Sequence, residues 1–246
     1  MKNIFGLIGK TLSHSFSREY FTNKFKQLQL AEYYYENFEL SSIEDFPNLV
    51  KNTKDLKGLN VTIPYKQQVI SYLDELDQDA KAIGAVNCIK ISDHKLKGYN
   101  TDFYGFKQSI KPFLEPQHQR ALVLGTGGSS KAVAYALKSV GVEIYFVTTS
   151  EKKGSNYFKY DEINEHVLNA FKLIVNTTPL GMSPHINECP PLPYEYLTSG
   201  HLCYDLIYNP EETLFLKKAK ENGAVTMNGL SMLKLQAEKS WEIWNS

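Results

Sequence analysis

Residues 120–130 read Arg-Ala-Leu-Val-Leu-Gly-Thr-Gly-Gly-Ser-Ser, a hydrophobic run that passes through a glycine turn into a helical pattern. A buried strand, a glycine turn and a helix in this order are typical of a dinucleotide-binding βαβ unit. The glycines let the backbone approach a pyrophosphate, and the free N–H groups of the helix N-terminus bind it. A glycine turn without a ligand is the alternative, because Ser130 stands where the strict motif has its third glycine. The predicted cofactor-binding turn comprises Gly125, Thr126, Gly127 and Gly128.

Strand and helix patterns alternate along the chain on both sides of this turn. Short hydrophobic runs such as Ile4–Ile8 and Gly58–Ile63 alternate with helical spacings in the first third of the chain. A second series begins near Asp102 and continues through a strand at 173–176 to an amphipathic helix at 230–244. This alternation predicts an α/β protein built from two units.

The composition argues against several other classes of protein. The 27 basic and 27 acidic side chains among 246 residues give a formal net charge of zero, which disfavours nucleic-acid binding. The three cysteines are widely spaced and the six histidines fall in no metal-ligand spacing, so we expect free thiols and no metal. The sequence contains neither a signal-peptide pattern nor an apolar run long enough to cross a bilayer. We therefore expect a cytoplasmic protein that binds a small molecule and neither a nucleic acid nor a membrane.

The residues at the end of the next strand, Glu143–Thr148, indicate which dinucleotide binds. An acidic side chain there marks NAD because it accepts hydrogen bonds from the adenosine ribose, whereas a basic cluster suits the extra phosphate of NADP. The segment 148–153 reads Thr-Thr-Ser-Glu-Lys-Lys, which favours NADP, although the two lysines also fit a solvated loop. The residues expected near the adenosine phosphate are Thr148, Thr149, Ser150 and Lys152.

Lys66 and Asp102 form the candidate reactive pair. Lys66 follows the strand 58–63 and a proline, at the kind of strand end that lines the active site of α/β proteins. An amine in that place transfers a proton when its surroundings adjust its pKa, and Asp102 would orient it and balance its charge. Most lysines are surface groups, so the pair gains meaning only from its polar neighbours. A lysine–aspartate pair facing a dinucleotide site predicts hydride transfer at a polar carbon, with the lysine handling the proton.

Small polar residues at several strand ends predict a ligand with many hydroxyl groups, because a polyol needs many hydrogen-bond partners. The hydroxyls of Ser15 and Ser17 stand before a predicted helix and suit a carboxylate, while a simple N-cap at Ser17 is the alternative. The strand-end residues are Asn60, Thr62, Asn87, Asn100 and Thr101.

In these motifs the chain resembles the shikimate dehydrogenase family. The matching segments follow one another in order through nearly the whole length: 13–17, 60–66, 84–87, 100–102, 125–128, 176–182, 204–210, 228–230, 232–233 and 236–237. The resemblance implies reversible NADPH-dependent reduction of 3-dehydroshikimate to shikimate, and we expect a monomer or homodimer. It also implies an α/β substrate-binding domain, 1–101 with 229–246, and a Rossmann-type NADP-binding domain, 102–228. The C-terminal helix then returns to the first domain.

The resemblance also implies roles for individual residues. Lys66 and Asp102 are then the catalytic pair, and Gly125, Gly127 and Gly128 take the pyrophosphate. Ser15 and Ser17 hold the substrate carboxylate. The ring hydroxyls are bound by Asn60, Thr62, Asn87, Asp102 and Gln236, with Tyr208 near the substrate. The nicotinamide lies against Thr177, Thr178, Pro179, Gly229 and Met232.

Departures from the family pattern leave alternatives open. The family commonly carries Asn-Arg-Thr after the second Rossmann strand, whereas Thr148-Thr149-Ser150 lacks the arginine. Either Lys152 or Lys153 replaces the arginine, or the preference for NADP is weaker. The short segment between Thr149 and Leu173 predicts a small or absent crossover helix. One alternative is a quinate/shikimate dehydrogenase that uses NAD or both cofactors. Another is a catalytically inactive dinucleotide-binding regulator, which the intact residues Lys66, Asp102 and Gln236 argue against.

Overall fold

The computed structural model describes residues 2–12, 16–151 and 154–246, which divide into two compact units. Unit 1 consists of Met1–Thr101 together with Ala237–Ser246, and unit 2 consists of Asp102–Gln236. Each unit contains a six-stranded sheet, so the predicted α/β fold class is confirmed. The assignment of substrate and cofactor binding to separate domains stays a prediction.

Unit 1 contains a mixed sheet. Its strands are β1 (Asn3–Gly9), β2 (Tyr33–Glu39), β3 (Leu56–Val61), β4 (Glu75–Leu76), β5 (Cys88–Ser92) and β6 (Lys95–Tyr99). They run in the order β2-β1-β3-β5-β6-β4, with β1 parallel to β2 and β3, and β5 antiparallel to β3 and β6. The helices of this part of the chain are α1 (Phe16–Gln27), α2 (Phe46–Asn52) and α3 (Gln78–Ile83). The sheet order brings the carboxyl ends of β1 and β3 next to the beginning of β5.

Unit 2 is built on an entirely parallel sheet. Its strands are β7 (Arg120–Leu124), β8 (Glu143–Val147), β9 (Tyr157–Phe158), β10 (Leu173–Asn176), β11 (Leu202–Asp205) and β12 (Val225–Met227). Its helices are α4 (Asp102–Ile110), α5 (Gly128–Lys138), α6 (Glu165–Ala170), α7 (Leu214–Glu221) and α8 (Leu230–Asn245), and the residues of α8 from Ala237 onward belong to unit 1. The strand order β12-β11-β10-β7-β8-β9 is that of a doubly wound nucleotide-binding fold. Its order reverses between β7 and β10, which is where such folds bind their ligands.

An aromatic cluster fixes the C-terminal end of α8 in unit 1. The rings of Phe5 and Trp244 lie 4.8 Å apart between centroids, and the indole N–H of Trp244 donates a hydrogen bond to the Ile89 carbonyl oxygen at 3.0 Å. A Cβ on Gly58 would lie 2.3 Å from the indole nitrogen, so the strand must carry a glycine at that place. Tight aromatic packing against a bare backbone stabilises this end of the helix.

Local sequence patterns predict the longer helices and strands better than the short ones. The strand predicted at 173–176 matches β10 in both bounds, and the hydrophobic run before the glycine turn is β7. A short 3-10 helix, Gln68–Tyr72, follows β3. The crossover helix expected to be small or absent is α6, with six residues. Within the described residues, no helix is long and apolar enough to cross a membrane, and no three His, Cys, Asp or Glu side chains gather as metal ligands would.

Candidate functional site

The glycine turn follows β7 and leads into α5. Gly125 has φ +97°, a left-handed conformation that favours glycine, and its N–H donates to the Val147 carbonyl oxygen at 2.8 Å. Gly127 is the N-cap of α5 and offers no side chain to cap the helix. A Cβ on Gly127 would meet no atom within 4 Å, so open space borders the backbone there. Ser130, in the third glycine position, is buried and its hydroxyl donates to the Gly127 carbonyl oxygen at 2.6 Å.

The loop after β10 lies against this turn. The N–H and the hydroxyl of Thr177 both donate to the Leu124 carbonyl oxygen, at 3.0 and 2.6 Å. A Cβ on Gly125 would lie 3.1 Å from the Thr177 hydroxyl oxygen, which shows how closely the two loops approach. Pro179 in the same loop is exposed. The structure thus brings the two predicted cofactor-binding segments together at the reversal of strand order.

A buried carboxylate that the sequence analysis did not single out holds this second loop. Asp205 is fully buried; its Oδ1 accepts hydrogen bonds from the Asn176 amide at 3.1 Å and the Ile207 N–H at 3.0 Å. Its Oδ2 accepts the Thr213 hydroxyl at 2.6 Å. Asn176 in turn accepts from the N–H and the hydroxyl of Thr178, at 3.0 and 2.7 Å. Burial raises the pKa of Asp205 to about 6, although its hydrogen bonds oppose the shift.

The start of α8 is fixed to the segment after β11. The N–H of Gly229 donates to the Ile207 carbonyl oxygen at 3.0 Å, and a Cβ on Gly229 would lie 2.0 Å from the Leu206 carbonyl oxygen. Only glycine permits two backbones to approach so closely. Met232, one turn further along, is buried in the core of unit 2. Tyr208 is half-buried, and burial raises the pKa of its phenol.

Two candidate substrate residues of unit 2 lie where α4 meets α8. Asp102 and Gln236 are each 7% exposed. A Cβ on Gly105 would lie 2.5 Å from the Met232 carbonyl oxygen and 3.0 Å from the Gln236 Cβ, so the two helices touch at this glycine. Asp102 stands three residues before Gly105 and shares its helix face.

A chain of buried polar side chains crosses unit 1 and contains three of the predicted strand-end residues, Asn60, Asn87 and Thr101. The Asn60 Oδ1 accepts the Tyr35 hydroxyl at 2.8 Å, and its Nδ2 donates to the Ser240 hydroxyl at 2.9 Å and the Asn87 carbonyl oxygen at 3.2 Å. The Asn87 side chain donates to the Thr101 hydroxyl at 3.0 Å and accepts the Thr101 N–H at 2.6 Å. Sequence analysis missed Tyr35 and Ser240, because nothing local marks a tyrosine in an aromatic strand or a serine in a helix as part of a polar network.

Lys66 lies beside this network. It is half-buried, and its carbonyl oxygen accepts the Val86 N–H at 2.7 Å, one residue before Asn87. Thr62 is also half-buried and its N–H donates to the Ile8 carbonyl oxygen at 2.9 Å. The structure therefore places Lys66, Thr62 and Asn87 at the same end of the unit 1 sheet.

The remaining predicted residues fall at the start of α1 and the end of β8. Ser17 is buried inside α1, which begins at Phe16, so the alternative reading of Ser17 as an N-cap is wrong. Thr148 is buried, whereas Thr149 and Ser150 are exposed. Ser15 and Lys152 lie outside the described residues.

Known proteins share both the sequence and the architecture. A family profile described as the shikimate dehydrogenase substrate binding domain matches residues 7–89. A shikimate dehydrogenase (NADP(+)) of Methanococcus aeolicus is 41% identical over 255 residues, covering 98% of this chain and 91% of the relative. This chain belongs to the shikimate dehydrogenase family. The family predicted from the motifs is confirmed.

Solved shikimate dehydrogenases have the same fold with different dinucleotides bound. Shikimate 5-dehydrogenase of Listeria monocytogenes, in complex with shikimate and NAD, superimposes with a TM-score of 0.88 at 26% identity, covering 99% of this chain and 92% of that one. The Thermus thermophilus enzyme, in complex with NADP(H) and shikimate, gives 0.87 at 30% identity, covering 98% and 93%. The roles of single residues in this chain stay predictions.

Proposed function

We propose that this protein is an NADP-dependent shikimate dehydrogenase that interconverts 3-dehydroshikimate and shikimate. The observation that carries the proposal is the 41% identity, over 98% of the chain, to a shikimate dehydrogenase (NADP(+)). The glycine turn fits a dinucleotide, because α5 begins with a glycine and open space borders its backbone. When bound, the nicotinamide supplies or accepts the hydride.

The protein then has to orient the substrate and move one proton. We infer that Lys66 donates this proton to the ketone oxygen, where negative charge develops during reduction. Asp102 would balance the lysine charge, and this pairing rests on the sequence motifs. Asn87, at the end of the unit 1 sheet, would bind a substrate hydroxyl, and Ser17, at the start of α1, would bind the substrate carboxylate. The hydrogen bonds among buried side chains support this role, because they fix the direction in which each polar group points.

Replacing Lys66 by methionine tests the proton transfer. Shikimate oxidation is followed at 340 nm (the absorbance of the reduced nicotinamide), and shikimate affinity is measured separately by calorimetry. We expect kcat to fall by roughly 10²–10⁴-fold with little change in shikimate affinity, since general acid–base catalysis contributes about this much. Lys81→Met is the control, because Lys81 is an exposed lysine of the same unit. A large loss of affinity with unchanged kcat would contradict the assignment.

Use of NAD, alone or beside NADP, is the second candidate. The missing arginine after β8 and the NAD complex of the Listeria relative favour it. Parallel assays with NADP and NAD, each with shikimate and with quinate, separate the two. Strong preference for NADP supports the main proposal, and comparable rates with quinate accepted support the second. Tight dinucleotide binding without turnover would instead indicate a regulator.

A further inference from the structure

We propose that Lys159 is the residue that makes this enzyme prefer a dinucleotide with a phosphate on the adenosine 2′-oxygen. It replaces the arginine that the segment 148–150 lacks, and it does so from the position directly after β9 and not from the segment itself. This inference rests on the proposed function, because it concerns the adenosine end of the same dinucleotide site.

Strand register places Lys159 at the adenosine end of the site. β9 pairs in parallel with β8, with Val147 opposite Phe158, and the Thr148 N–H donates to the Phe158 carbonyl oxygen at 3.0 Å. Lys159 is the residue that follows β9, and it therefore lies beside Thr148 at the end of β8. In doubly wound folds the adenosine ribose binds at the carboxyl end of this second strand.

The ammonium of Lys159 is fixed in the turn after β8. It donates hydrogen bonds to the Thr149 carbonyl oxygen at 3.0 Å and to the Ser150 carbonyl oxygen. The same turn is closed by a hydrogen bond from the Ser150 N–H to the Thr148 hydroxyl at 3.1 Å. The Lys159 backbone is held as well, because its N–H donates to the Glu162 carboxylate at 2.6 Å. A lysine anchored in this way keeps its charge in one place.

The chemistry of this turn distinguishes a phosphate from a ribose hydroxyl. An ammonium carries three N–H donors. Within the part of the chain that the structure describes, two of those of Lys159 go to backbone oxygens, which leaves its charge and one donor for a ligand. The exposed side chains of Thr149 and Ser150 add hydroxyl donors beside it. A phosphate gains from the charge and from these donors, whereas a neutral diol gains little from the charge. Lysine acts as a point charge, so the preference should weaken as salt is added.

Calorimetry on the purified full-length enzyme tests the proposal with ligand pairs that differ only in the 2′-phosphate. The pairs are NADPH with NADH, and adenosine 2′,5′-bisphosphate with AMP. For Lys159→Met we expect the dissociation constants of NADPH and the bisphosphate to rise roughly tenfold or more, as for a lost charged hydrogen bond. Those of NADH and AMP should change by less than about twofold, because no charged contact is lost. Lys159→Arg should restore the preference, and Lys138→Met, an exposed lysine in the last turn of α5, should leave all four constants unchanged.

Each outcome bears on the proposal. Equal weakening of NADPH and NADH would overturn it, because Lys159 would then only order the turn. Full retention of the preference in Lys159→Met, with tight NADPH binding by the wild type, would overturn this inference and leave the proposed function standing. A wild-type protein that binds none of the four ligands would overturn both. Unchanged NADH affinity in Lys159→Met also shows that the variant is folded.

Discussion

Replacing Asp205 by asparagine tests whether a buried carboxylate lowers the stability of unit 2 at neutral pH. Asp205 is fully buried, and burial raises its pKa from 3.8 to about 6 despite the hydrogen bonds it accepts. The folded state therefore holds the proton more tightly than the unfolded chain does. It follows that this group's contribution to stability is complete below a pH of about 4 and is lost as the pH rises through about 6.

The size of the effect follows from the shift. A change from 3.8 to about 6 corresponds to ~3 kcal/mol at about 1.36 kcal/mol per pKa unit. Asparagine is neutral and resembles the protonated acid: its oxygen can accept from Asn176 and Ile207, and its amide can donate to the Thr213 hydroxyl. We expect Asp205→Asn to be more stable than the wild type by up to ~3 kcal/mol at pH 7, and nearly equal to it near pH 4. Asp205→Ala leaves these donors unpaired and should cost at least ~3 kcal/mol.

Amide hydrogen exchange of peptides covering β10 and β11 measures the free energy of opening where Asp205 lies. Tryptophan fluorescence is unsuitable, because Trp241 and Trp244 both belong to unit 1. Wild type, Asp205→Asn and Asp205→Ala are compared at pH 4.5, 5.5 and 7. The reasoning is refuted if Asp205→Asn is as unstable as Asp205→Ala at pH 7, or if its difference from the wild type does not change with pH.

Two further predictions concern other buried groups of unit 2. Gly229→Ala should destabilise the protein by roughly 1–3 kcal/mol or more, because its Cβ would lie 2.0 Å from the Leu206 carbonyl oxygen. Gly200→Ala, whose Cβ would have its nearest neighbour at 3.8 Å, is the control, and equal thermal midpoints for the two variants would contradict this. Burial lowers the pKa of His201 from 6.5, so its contribution to stability is present above that pH and is lost as the pH falls through the lowered pKa. Urea titrations at pH 7 and pH 5 should show a smaller acid-induced loss in His201→Gln than in wild type or in the exposed-site control His185→Gln, and an unchanged loss would speak against it.

The core of unit 2 is predictable because its signals are local. In β7, the residues 121–124 before the glycine turn are all hydrophobic, and a strand buried on both faces requires this. β9 and α6 are short and carry no periodic pattern, so tertiary contacts and not propensity decide them. Lys159 was missed for the same reason, since only the pairing of β9 with β8 shows that it lies beside the turn after Thr148.

The buried polar networks depend on residues far apart in sequence. Asn60 and Ser240 are separated by 180 positions, and Asp205 meets Asn176 only because β10 and β11 are paired. A polar residue at a strand end therefore signals a hydrogen bond without saying whether a ligand or the protein supplies the partner. The sequence placed Asn60 among ligand residues, and the structure surrounds it with partners from unit 1.

These partners determine whether the Asn60 side chain could donate or accept a hydrogen bond with a ligand. The Asn87 carbonyl oxygen can only accept, so it must face the Asn60 amide nitrogen, and both N–H groups of that nitrogen are used, on Asn87 and on Ser240. The opposite amide orientation would set two oxygens against each other. The Asn60 oxygen accepts the Tyr35 hydroxyl and has a second lone pair. A substrate hydroxyl at Asn60 must therefore donate its hydrogen bond, and a ring substituent that can only accept would leave a buried contact unmade.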